Sequence, residues 1–390
     1  MDTASMVHVE AVLCNWVSTL CVGGATLGCL YLLLAAGAVL RLGRRGKPSP
    51  TSPEPVTVLK PLRGAEPGLW RRLWSFANQN YRAPVQIVCG VRDATDAAVA
   101  SAEMLATHVP DVVLVIDPRQ CGTNPKVANL VNMLPRARHD VLVLADSDIE
   151  VGNDFLDRLV AELQRPGVGA VSCLYHGIAG NGLWARQSAL AINTHFLPNV
   201  VLAVQLGLAE PCFGAAIAIR RSMLRRIGGL EAFADSLADD YEIGAAVRAT
   251  GAEVAIPPFS IGHACFERSF RALLAHDLRA ARTIKSIDPI GYCGALLTHP
   301  FPLALIAATA GNGEALWLAA LALGCRGALC LCVEHAFGLP RQPYRHIPLR
   351  DVLSFVVYVW GLCGTAVSWR GASYHVWNGR LTSGREKAEQ

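Results

Sequence analysis

Charged residues are scarce in this sequence. Asp, Glu, Lys and Arg make up 17% of its 390 residues, against about 25% in typical soluble domains, and the mean hydropathy is +0.33. This composition excludes a disordered chain and is typical of a membrane protein or an unusually buried one. The 35 Lys and Arg residues exceed the 31 Asp and Glu residues by only 4. So small a surplus argues against a nucleic-acid-binding surface.

Cysteine motifs are missing too, although the chain has 13 cysteines. They are scattered from Cys14 to Cys363, without a C-x-x-C pair, and several lie inside apolar runs. This argues against a disulfide framework or a zinc site and favours reduced, buried thiols. The polar part of the chain also lacks a P-loop and a G-x-G-x-x-G dinucleotide motif.

Long uncharged runs are present instead. Residues 11–40 carry no charge, and at 1.5 Å per residue Trp16–Leu40 is long enough for a hydrocarbon core of about 30 Å. We therefore predict a transmembrane anchor over residues 11–41. Basic residues follow at 41–47, which places the N-terminus outside and the following chain in the cytosol. A Pro/Ser-rich linker follows at 48–53.

Three more apolar segments lie towards the end of the chain. Pro289–Gly313 and Val352–Trp369 are uncharged, and Ala315–Val333 contains only one charged residue. A basic loop at 341–346 makes 289–337 a helical hairpin with that loop in the cytosol. Val352–Trp369 is either a last span or a re-entrant or interfacial helix. We predict membrane segments over 289–370 and a cytosolic or juxtamembrane tail over 371–390.

Arg326 is the charged residue inside the second of these segments. An arginine inside a membrane segment is a candidate functional residue. The interpretation that we favour is that Arg326 lies at the turn of the hairpin and extends to the aqueous face.

Residues 48–288 have ordinary polarity and contain seven short apolar runs, with helical patterns between several of them. One predicted helix has an apolar face of Trp70, Leu73, Trp74 and Ala77. Apolar strands alternating with helices predict an α/β fold with a mostly parallel sheet, whose ligands bind beyond the carboxyl ends of the strands. The seven runs are Val56–Leu62, Val85–Val91, Val112–Ile116, Asp140–Ala145, Gly169–Leu174, Gly214–Ile219 and Glu253–Ile256.

Carboxylates follow two of these strands. Asp93 comes after the second run, where it either hydrogen-bonds a base or ribose or only forms a turn. Asp146 and Asp148 come after the fourth run. Such a D-x-D pair can hold one divalent cation that neutralises a diphosphate, although the pattern is common by chance.

Two further segments have residues suited to this chemistry. Lys126 lies in the loop Gly122–Asn129 at the start of a helix, where an ammonium and backbone N–H groups suit phosphate; a solvated lysine is the alternative. Asp239 and Asp240 precede an amphipathic helix. Adjacent carboxylates raise each other's pKa, so one can act as a general base towards a hydroxyl; a helix cap with a first-turn acid is the alternative. Together these features indicate metal-dependent transfer from a nucleoside diphosphate donor.

Six motifs in this region occur in a characteristic order, and as a set they resemble the ceramide glucosyltransferase family, glycosyltransferase family 21. The resemblance covers roughly residues 11 to 380 and extends in particular to a bacterial branch of hopanoid-biosynthesis-associated glycosyltransferases. It implies a GT-A nucleotide-diphospho-sugar transferase fold, a UDP-sugar donor, Mn²⁺ or Mg²⁺, and inversion at the anomeric carbon. The motifs are Val58–Gly64, Val88–Asp93, Gly122–Leu130, Ala145–Ile149, Cys212–Gly214 and Leu237–Tyr241.

The resemblance also implies roles for single residues. Asp93 is implied to contact the nucleoside, Asp146 and Asp148 to bind the metal, and Asp240 to be the catalytic base, with Asp239 beside it. The residues implied to bind the donor also include Lys60, Lys126, His276, Arg279 and Arg282.

The family's late Q/R-x-x-R-W motif is altered in this sequence. It reads His276–Ala280, so Arg279 is retained and alanine replaces the tryptophan, which argues against a processive polysaccharide synthase. Arg279 and Arg282 either contact diphosphate or form a basic stripe facing anionic lipid headgroups. His263 is a candidate ligand or phosphate contact, or an ordinary surface or core histidine. Trp184–Leu208 is either an interfacial, acceptor-guiding helix or a buried core helix.

The sequence thus predicts a membrane-bound inverting glycosyltransferase that transfers a hexose or N-acetylhexosamine from a UDP-sugar to a lipid hydroxyl, and the resemblance implies N-acetylglucosamine as the sugar and a hopanoid polyol as the acceptor. Its expected location is a bacterial inner membrane, as a multi-pass protein with a cytosolic catalytic domain at 48–288. Its expected partners are a lipid acceptor and membrane lipids, and no nucleic acid. The alternatives are a UDP-glucose ceramide-type enzyme and a non-catalytic scaffold that binds a sugar nucleotide.

Overall fold

The computed structural model describes residues 3–46, 52–364, 366–369, 372–377 and 380–383, with side chains for 12–46 and 52–364. Residues 48–51 of the predicted linker lie outside the described residues. So do residues 371, 378–379 and 384–390 of the predicted tail.

Helices and strands alternate along much of the described chain. The helices are α1 Thr3–Gly43, α2 Leu69–Ala77, α3 Ala98–His108, α4 Pro125–Met133, α5 Phe155–Leu163, α6 Leu183–Ala191, α7 Leu197–Gln205, α8 Arg221–Arg226, α9 Asp239–Ala249, α10 Phe270–Ile287, α11 Pro289–Gly294, α12 Pro300–Thr309, α13 Ala315–Phe337 and α14 Ile347–Leu362. The strands are β1 Val56–Pro61, β2 Val85–Val91, β3 Val112–Ile116, β4 Val141–Ala145, β5 Ile149–Glu150, β6 Val168–Ser172, β7 Leu174–Ala179, β8 Ala216–Arg220, β9 Glu253–Ala255, β10 Ser260–Cys265, β11 Ala366–Trp369, β12 Ala372–Trp377 and β13 Arg380–Ser383.

The chain forms two compact units, each made of several segments. The second unit contains the main sheet, and the first contains the long apolar helices. Their segments are Met1–Arg44, Asn181–Leu208 and Glu267–Ser373 for the first unit, and Arg45–Gly180, Ala209–Phe266 and Tyr374–Gln390 for the second.

The second unit is built on a seven-stranded sheet with the order β3-β2-β1-β4-β8-β6-β9. Each of the seven apolar runs forms one of its strands. Only β8 runs against the others, because its pairings with β4 and β6 are antiparallel while β1–β2, β1–β4, β2–β3 and β6–β9 are parallel. The predicted α/β fold with a mostly parallel sheet is therefore confirmed. Helices such as α2 and α5 bury apolar side chains against one of its faces.

A second, smaller sheet of this unit is not predicted from the sequence. It has the order β5-β10-β7, with β10 antiparallel to β5 and parallel to β7. The strands β7 and β10 carry His176 and His263 among small and apolar residues, so neither strand has a clear apolar run. The small sheet matters for function because β5 directly follows the D-x-D pair.

The apolar face predicted for α2 is wrong by one position. Trp70 and Trp74 are only half-buried and stack on each other with ring centroids 5.4 Å apart. The buried positions include an arginine, which donates hydrogen bonds to nearby Pro67 and to distant Ser147. The buried residues of α2 are Leu69, Arg72, Leu73 and Phe76.

The first unit contains the helices that suit a membrane. Within the described residues, Val12–Gly43 and Ala315–Phe337 are long and apolar enough to span one, and a third span is possible if the pair Pro289–Thr298 and Pro300–Thr309, bent by 65°, counts as one. The 16 residues of α14 extend only about 24 Å, less than a hydrocarbon core of about 30 Å. This length favours a re-entrant or interfacial position for α14.

The segment 181–208 packs with these apolar helices. It consists of α6, a π-helical turn at Ile192–Phe196, and α7. Gln205 Nε2 donates a hydrogen bond of 2.7 Å to the carbonyl of Ala38 in α1. Residues 267–288, which include all of α10, belong to the same unit.

Arg326 lies in the middle of α13 and is fully buried. Its Nε lies 3.2 Å from Asp351 Oδ1 in α14, and its Nη1 donates to the carbonyl of Thr194 in the π-helical turn at 2.8 Å. Asp351 also contacts His195 Nε2 at 3.0 Å. The interpretation that Arg326 extends from a hairpin turn to the aqueous face is therefore wrong, because buried acceptors hold the guanidinium inside the helix bundle.

Candidate functional site

The predicted site residues of the second unit gather at the carboxyl ends of β1, β2 and β4. Ala145, the last residue of β4, pairs with Ala216, the first residue of the reversed strand β8. The segment before β8, which contains Gly214, therefore lies at the same edge. Ligands of α/β sheets bind at such an edge.

Lys126 connects the D-x-D pair to the acidic pair. Asn124 caps α4, because its side-chain oxygen accepts from the backbone N–H groups of Lys126 and Val127 at 2.9 and 3.2 Å. This cap places Lys126 in the first turn of the helix. Its Nζ lies 2.7 Å from Asp146 Oδ1 and 3.7 Å from Asp239 Oδ2. A half-buried ammonium thus joins two carboxylates that are distant in sequence.

The loop before α4 is fixed to the loop before α9. Gly122 has a φ of +66°, and a Cβ there would lie 2.5 Å from the carbonyl oxygen of Ala234, so only glycine fits. Asn124 Nδ2 donates to the carbonyl of Ser236 at 2.8 Å and to Asp239 Oδ1 at 3.2 Å. Asn124 therefore orients both the lysine and the acidic pair.

Asp240 is held by two backbone N–H groups. Gly214 N–H donates to Oδ2 at 2.7 Å and Tyr241 N–H donates to Oδ1 at 2.9 Å. Burial and the neighbouring Asp239 raise the pKa of Asp240 to about 6, although Lys126 opposes the shift. This carboxylate is orientated and more basic than an ordinary aspartate, as a general base near neutral pH should be.

Asp148 lies in a different electrostatic environment from Asp146. His263 Nε2 is 3.3 Å from Asp148 Oδ2, whereas Oδ1 is buried and has no hydrogen-bond partner among the described residues. Burial opposes ionisation of Asp148, but His263, Lys60 and Lys126 hold its pKa below the ordinary value. For Asp146, burial and the charge of Asp148 outweigh Lys126 and raise the pKa.

Lys60, in β1, bonds the backbone of the first aspartate of the D-x-D pair. It is fully buried in β1, donates to the carbonyl of Asp146, and lies 4.1 Å from the ring centroid of Phe76. Burial lowers its pKa to about 8, although Asp148 and Asp146 favour the charged form. Lys60 therefore fixes the backbone of Asp146.

Glu66 and Arg72 contact Ser147, the residue between Asp146 and Asp148, and sequence reasoning missed both. Arg72 Nε donates to the carbonyl of Ser147 at 2.9 Å, and Ser147 Oγ donates to Glu66 Oε1 at 2.8 Å. These contacts join residues 75 and 81 positions apart in sequence, so no local pattern indicates them. Tyr175 was missed as well; its ring lies 5.4 Å from that of His263.

Asp93 lies at the same edge but outside this cluster. It is exposed, and its Oδ1 accepts from the N–H and the hydroxyl of Thr95, each at 2.8 Å, which lowers its pKa. Because β1 separates β2 from β4, the two strand ends are about 10 Å apart. Asp96 closes the loop by accepting from Gly64 N–H at 2.7 Å.

The remaining predicted donor-binding residues lie on α10, in the first unit. His276 Nδ1 is 2.6 Å from Glu267 Oε1, and Arg282 Nη2 donates weakly to the carbonyl of Cys363 at 3.4 Å. Arg279 lies one turn after His276 on this helix.

The described residues contain no group of three or more His, Cys, Asp or Glu side chains able to hold a metal ion. A cation at the D-x-D pair would therefore take most of its ligands from substrate or water. This is the usual arrangement for Mg²⁺, which is often held by one or two carboxylates together with substrate phosphates.

The fold is that of a GT-A glycosyltransferase. A mannosyltransferase from Pyrobaculum calidifontis, solved with GDP-mannose and Mn²⁺, superposes with a TM-score of 0.55 at 23% identity. The match covers 90% of this chain and 99% of that one. At this identity the likeness concerns the fold alone.

Residues 20–382 match the model of Glycosyl transferase family 21, and the chain belongs to this family. Ceramide glucosyltransferase 1 of Caenorhabditis elegans is 24% identical over 239 residues, 60% of this chain and 51% of the relative. The ceramide glucosyltransferase of Komagataella phaffii is 32% identical over 128 residues, 31% of this chain and 25% of the relative. The alignments thus span about half and a quarter of the length of these two relatives. The resemblance to the ceramide glucosyltransferase family is confirmed.

Proposed function

We propose that this protein is a membrane-bound inverting glycosyltransferase that transfers a sugar from a UDP-sugar to a lipid hydroxyl. The observation that carries this proposal is the cluster of Asp146, Lys126, Asp239 and Asp240 at the ligand-binding edge of a GT-A sheet. Ceramide glucosyltransferase relatives support a lipid acceptor. The apolar helices α1 and α13 support a membrane location.

Asp146 and Asp148 are the residues that would hold Mn²⁺ or Mg²⁺. The buried, unpartnered Oδ1 of Asp148 fits this role, because a hard cation requires a free carboxylate oxygen. When bound, such an ion neutralises charge on the leaving diphosphate. The ammonium of Lys126, at the N-terminus of α4, supplies a further positive charge for the phosphates. In this proposal Asp93, at the end of β2, contacts the nucleoside.

Asp240 takes the proton in this proposal. The lipid hydroxyl attacks the anomeric carbon from the face opposite the nucleotide, its proton passes to Asp240, and UDP departs with the electrons of the bond that breaks. Each oxygen of Asp240 accepts one backbone N–H and retains a second lone pair for the hydroxyl. The backbone contacts keep the carboxylate in one orientation throughout.

The pH dependence of the rate tests this assignment. Because only ionised Asp240 accepts a proton, we expect kcat/KM to be level above about pH 7 and to fall about tenfold per unit below its pKa of about 6. UDP release measured between about pH 4.5 and 8.5 gives the profile, and the melting temperature at each pH controls for unfolding. If kcat/KM stayed level down to about pH 4.5, the general base would be a carboxylate with an ordinary pKa rather than Asp240.

The donor, acceptor and location are part of the same proposal. We propose N-acetylglucosamine as the sugar and a hopanoid polyol as the acceptor, in a bacterial inner membrane with several spans and a cytosolic catalytic region. The motif resemblance supports the acceptor, and the basic residues after α1 support the orientation. UDP-glucose with a ceramide-like lipid is the second candidate, which the ceramide glucosyltransferase relatives favour.

The deciding experiment measures UDP release by the purified protein in detergent. UDP-glucose and UDP-N-acetylglucosamine are each supplied with ceramide or a hopanoid polyol, with and without Mn²⁺. We expect release only when both a lipid and the metal are present. Nucleotide binding without release under every condition would instead support a non-catalytic scaffold. Mass spectrometry of lipids from cells with and without this chain then identifies the product.

A further inference from the structure

An ion pair between a buried arginine and a half-buried glutamate contacts Ser147, the residue between Asp146 and Asp148. Arg72 is only 3% exposed, and its Nη2 lies 3.1 Å from Glu66 Oε2. Its Nη1 donates to the carbonyl of Pro67 at 2.7 Å and its Nε to the carbonyl of Ser147 at 2.9 Å. The guanidinium also packs over the ring of Phe266, 4.8 Å from its centroid.

Ser147 is held at two points by this pair. Its carbonyl accepts from Arg72, and its hydroxyl donates to Glu66 Oε1 at 2.8 Å. Because Ser147 lies between Asp146 and Asp148, fixing its peptide plane and side chain also fixes the directions in which the flanking carboxylates leave the backbone. Neither Glu66 nor Arg72 belongs to a strand of the sheet.

Asp148 is the residue that most needs this restraint. A buried carboxylate oxygen without a donor costs free energy, so an unrestrained side chain would rotate towards a hydrogen-bond donor. Asp148 Oδ1 nevertheless has no partner among the residues that the structure describes. Holding Ser147 through both its carbonyl and its hydroxyl limits this movement and keeps Oδ1 available.

We propose that Glu66 and Arg72 form a clamp on Ser147 that positions Asp146 and Asp148 for a divalent cation. Both are positioning residues, since they contact the residue between the two carboxylates and neither carboxylate itself. This inference rests on the proposed function, in which the D-x-D pair holds the cation. Residues that orient metal ligands typically change metal affinity by about 10 to 100-fold when replaced.

Arg71 provides a matched control on the same helix. It precedes Arg72, but its side chain is 75% exposed and pairs with Glu150 at 2.7 Å. Arg71→Lys and Arg72→Lys are the same chemical change at adjacent positions. An ammonium cannot reproduce the several fixed donors of the buried guanidinium, so only Arg72→Lys should release the clamp. Glu66→Gln keeps the shape of Glu66 and removes its charge.

The experiment measures Mn²⁺ binding to the purified full-length protein in detergent with UDP, from the electron paramagnetic resonance signal of free Mn²⁺. For Arg72→Lys and Glu66→Gln we expect the dissociation constant to rise about tenfold or more, and for Arg71→Lys to stay within about twofold. Asp148→Asn should abolish the binding, which identifies the site. In the UDP-release assay, both clamp variants should need about tenfold more Mn²⁺ for half-maximal rate, with kcat at saturating Mn²⁺ within about threefold of the parent.

Unchanged Mn²⁺ affinity in folded Arg72→Lys and Glu66→Gln would overturn the clamp. If melting shows that Arg72→Lys does not fold, Glu66→Gln alone decides the question. A parent protein that binds Mn²⁺ but releases no UDP with any lipid would overturn the proposed function, and the affinities of the variants would still decide the clamp. A parent that binds no Mn²⁺ would overturn the clamp directly.

Discussion

Asp240→Asn is expected to lower lipid-dependent UDP release by about 10² to 10⁴-fold, the usual contribution of a general base. Asparagine keeps the size of the side chain but is not basic enough to take the proton. Its oxygen can still accept from Gly214 or Tyr241, while its amide group faces the other backbone N–H. We therefore expect a folded protein that binds donor with little change in affinity. Steady-state UDP release and donor binding, measured on the same preparation, separate these effects.

Asp157→Asn is the matched control for this variant. Asp157 lies in the first turn of α5, as Asp240 does in α9, and it is half-buried. Asp157 lies outside the candidate site, so we expect Asp157→Asn to keep the activity within about twofold of the parent. If Asp240→Asn retained more than about a tenth of the activity while Asp239→Asn lost it, the base would be Asp239 instead.

Arg326→Met is expected to destabilise the protein by about 3–5 kcal/mol, the usual cost of removing one partner of a buried ion pair. The substitution leaves Asp351 charged and without its arginine, and it also leaves the carbonyl of Thr194 without its donor. Thermal unfolding in detergent measures the loss. Asp351 keeps its contact with His195 at 3.0 Å, which is insufficient to replace the guanidinium.

A double variant tests whether the ion pair itself is responsible. Asp351→Asn removes the stranded charge, so we expect the double variant with Arg326→Met to be less destabilised than the sum of the two single variants. Arg345→Met, at an exposed arginine of the same unit, should change stability by less than about 0.5 kcal/mol. An Arg326→Met protein that melts like the parent would mean that the buried contacts of Arg326 contribute no net stability.

The strands of the main sheet can be predicted from the sequence, because each is a short run rich in apolar residues. Their order and the reversed direction of β8 are not predicted. The small sheet cannot, since β7 and β10 carry polar side chains that become half-buried only through pairing with each other. The position of the α2 face also escapes prediction. A buried arginine occupies it, and one partner of that arginine, Ser147, lies 75 positions away in the sequence.

The site residues that lie in short sequence motifs can be predicted from the sequence. The sequence indicates Asp146, Asp148, Lys126 and the acidic pair, and the structure brings Asp146, Lys126 and Asp239 into contact. It does not indicate that Lys60 bonds the backbone of Asp146 or that Glu66 bonds Ser147. These contacts depend on the register of neighbouring strands and on the position of the helices, and neither can be inferred from local residue patterns.

Because β8 runs opposite to β4 and β6, the segments on either side of β6 lie at opposite ends of the main sheet. Since β6 ends beside the start of β8, the turn that enters β6 lies at the opposite edge of the sheet. Arg165, Pro166 and Gly167 in that turn are exposed. A peptide tag inserted in this turn would therefore lie at the end of the sheet opposite the candidate site. Such a tag would allow the protein to be immobilised on a surface while the site stays accessible.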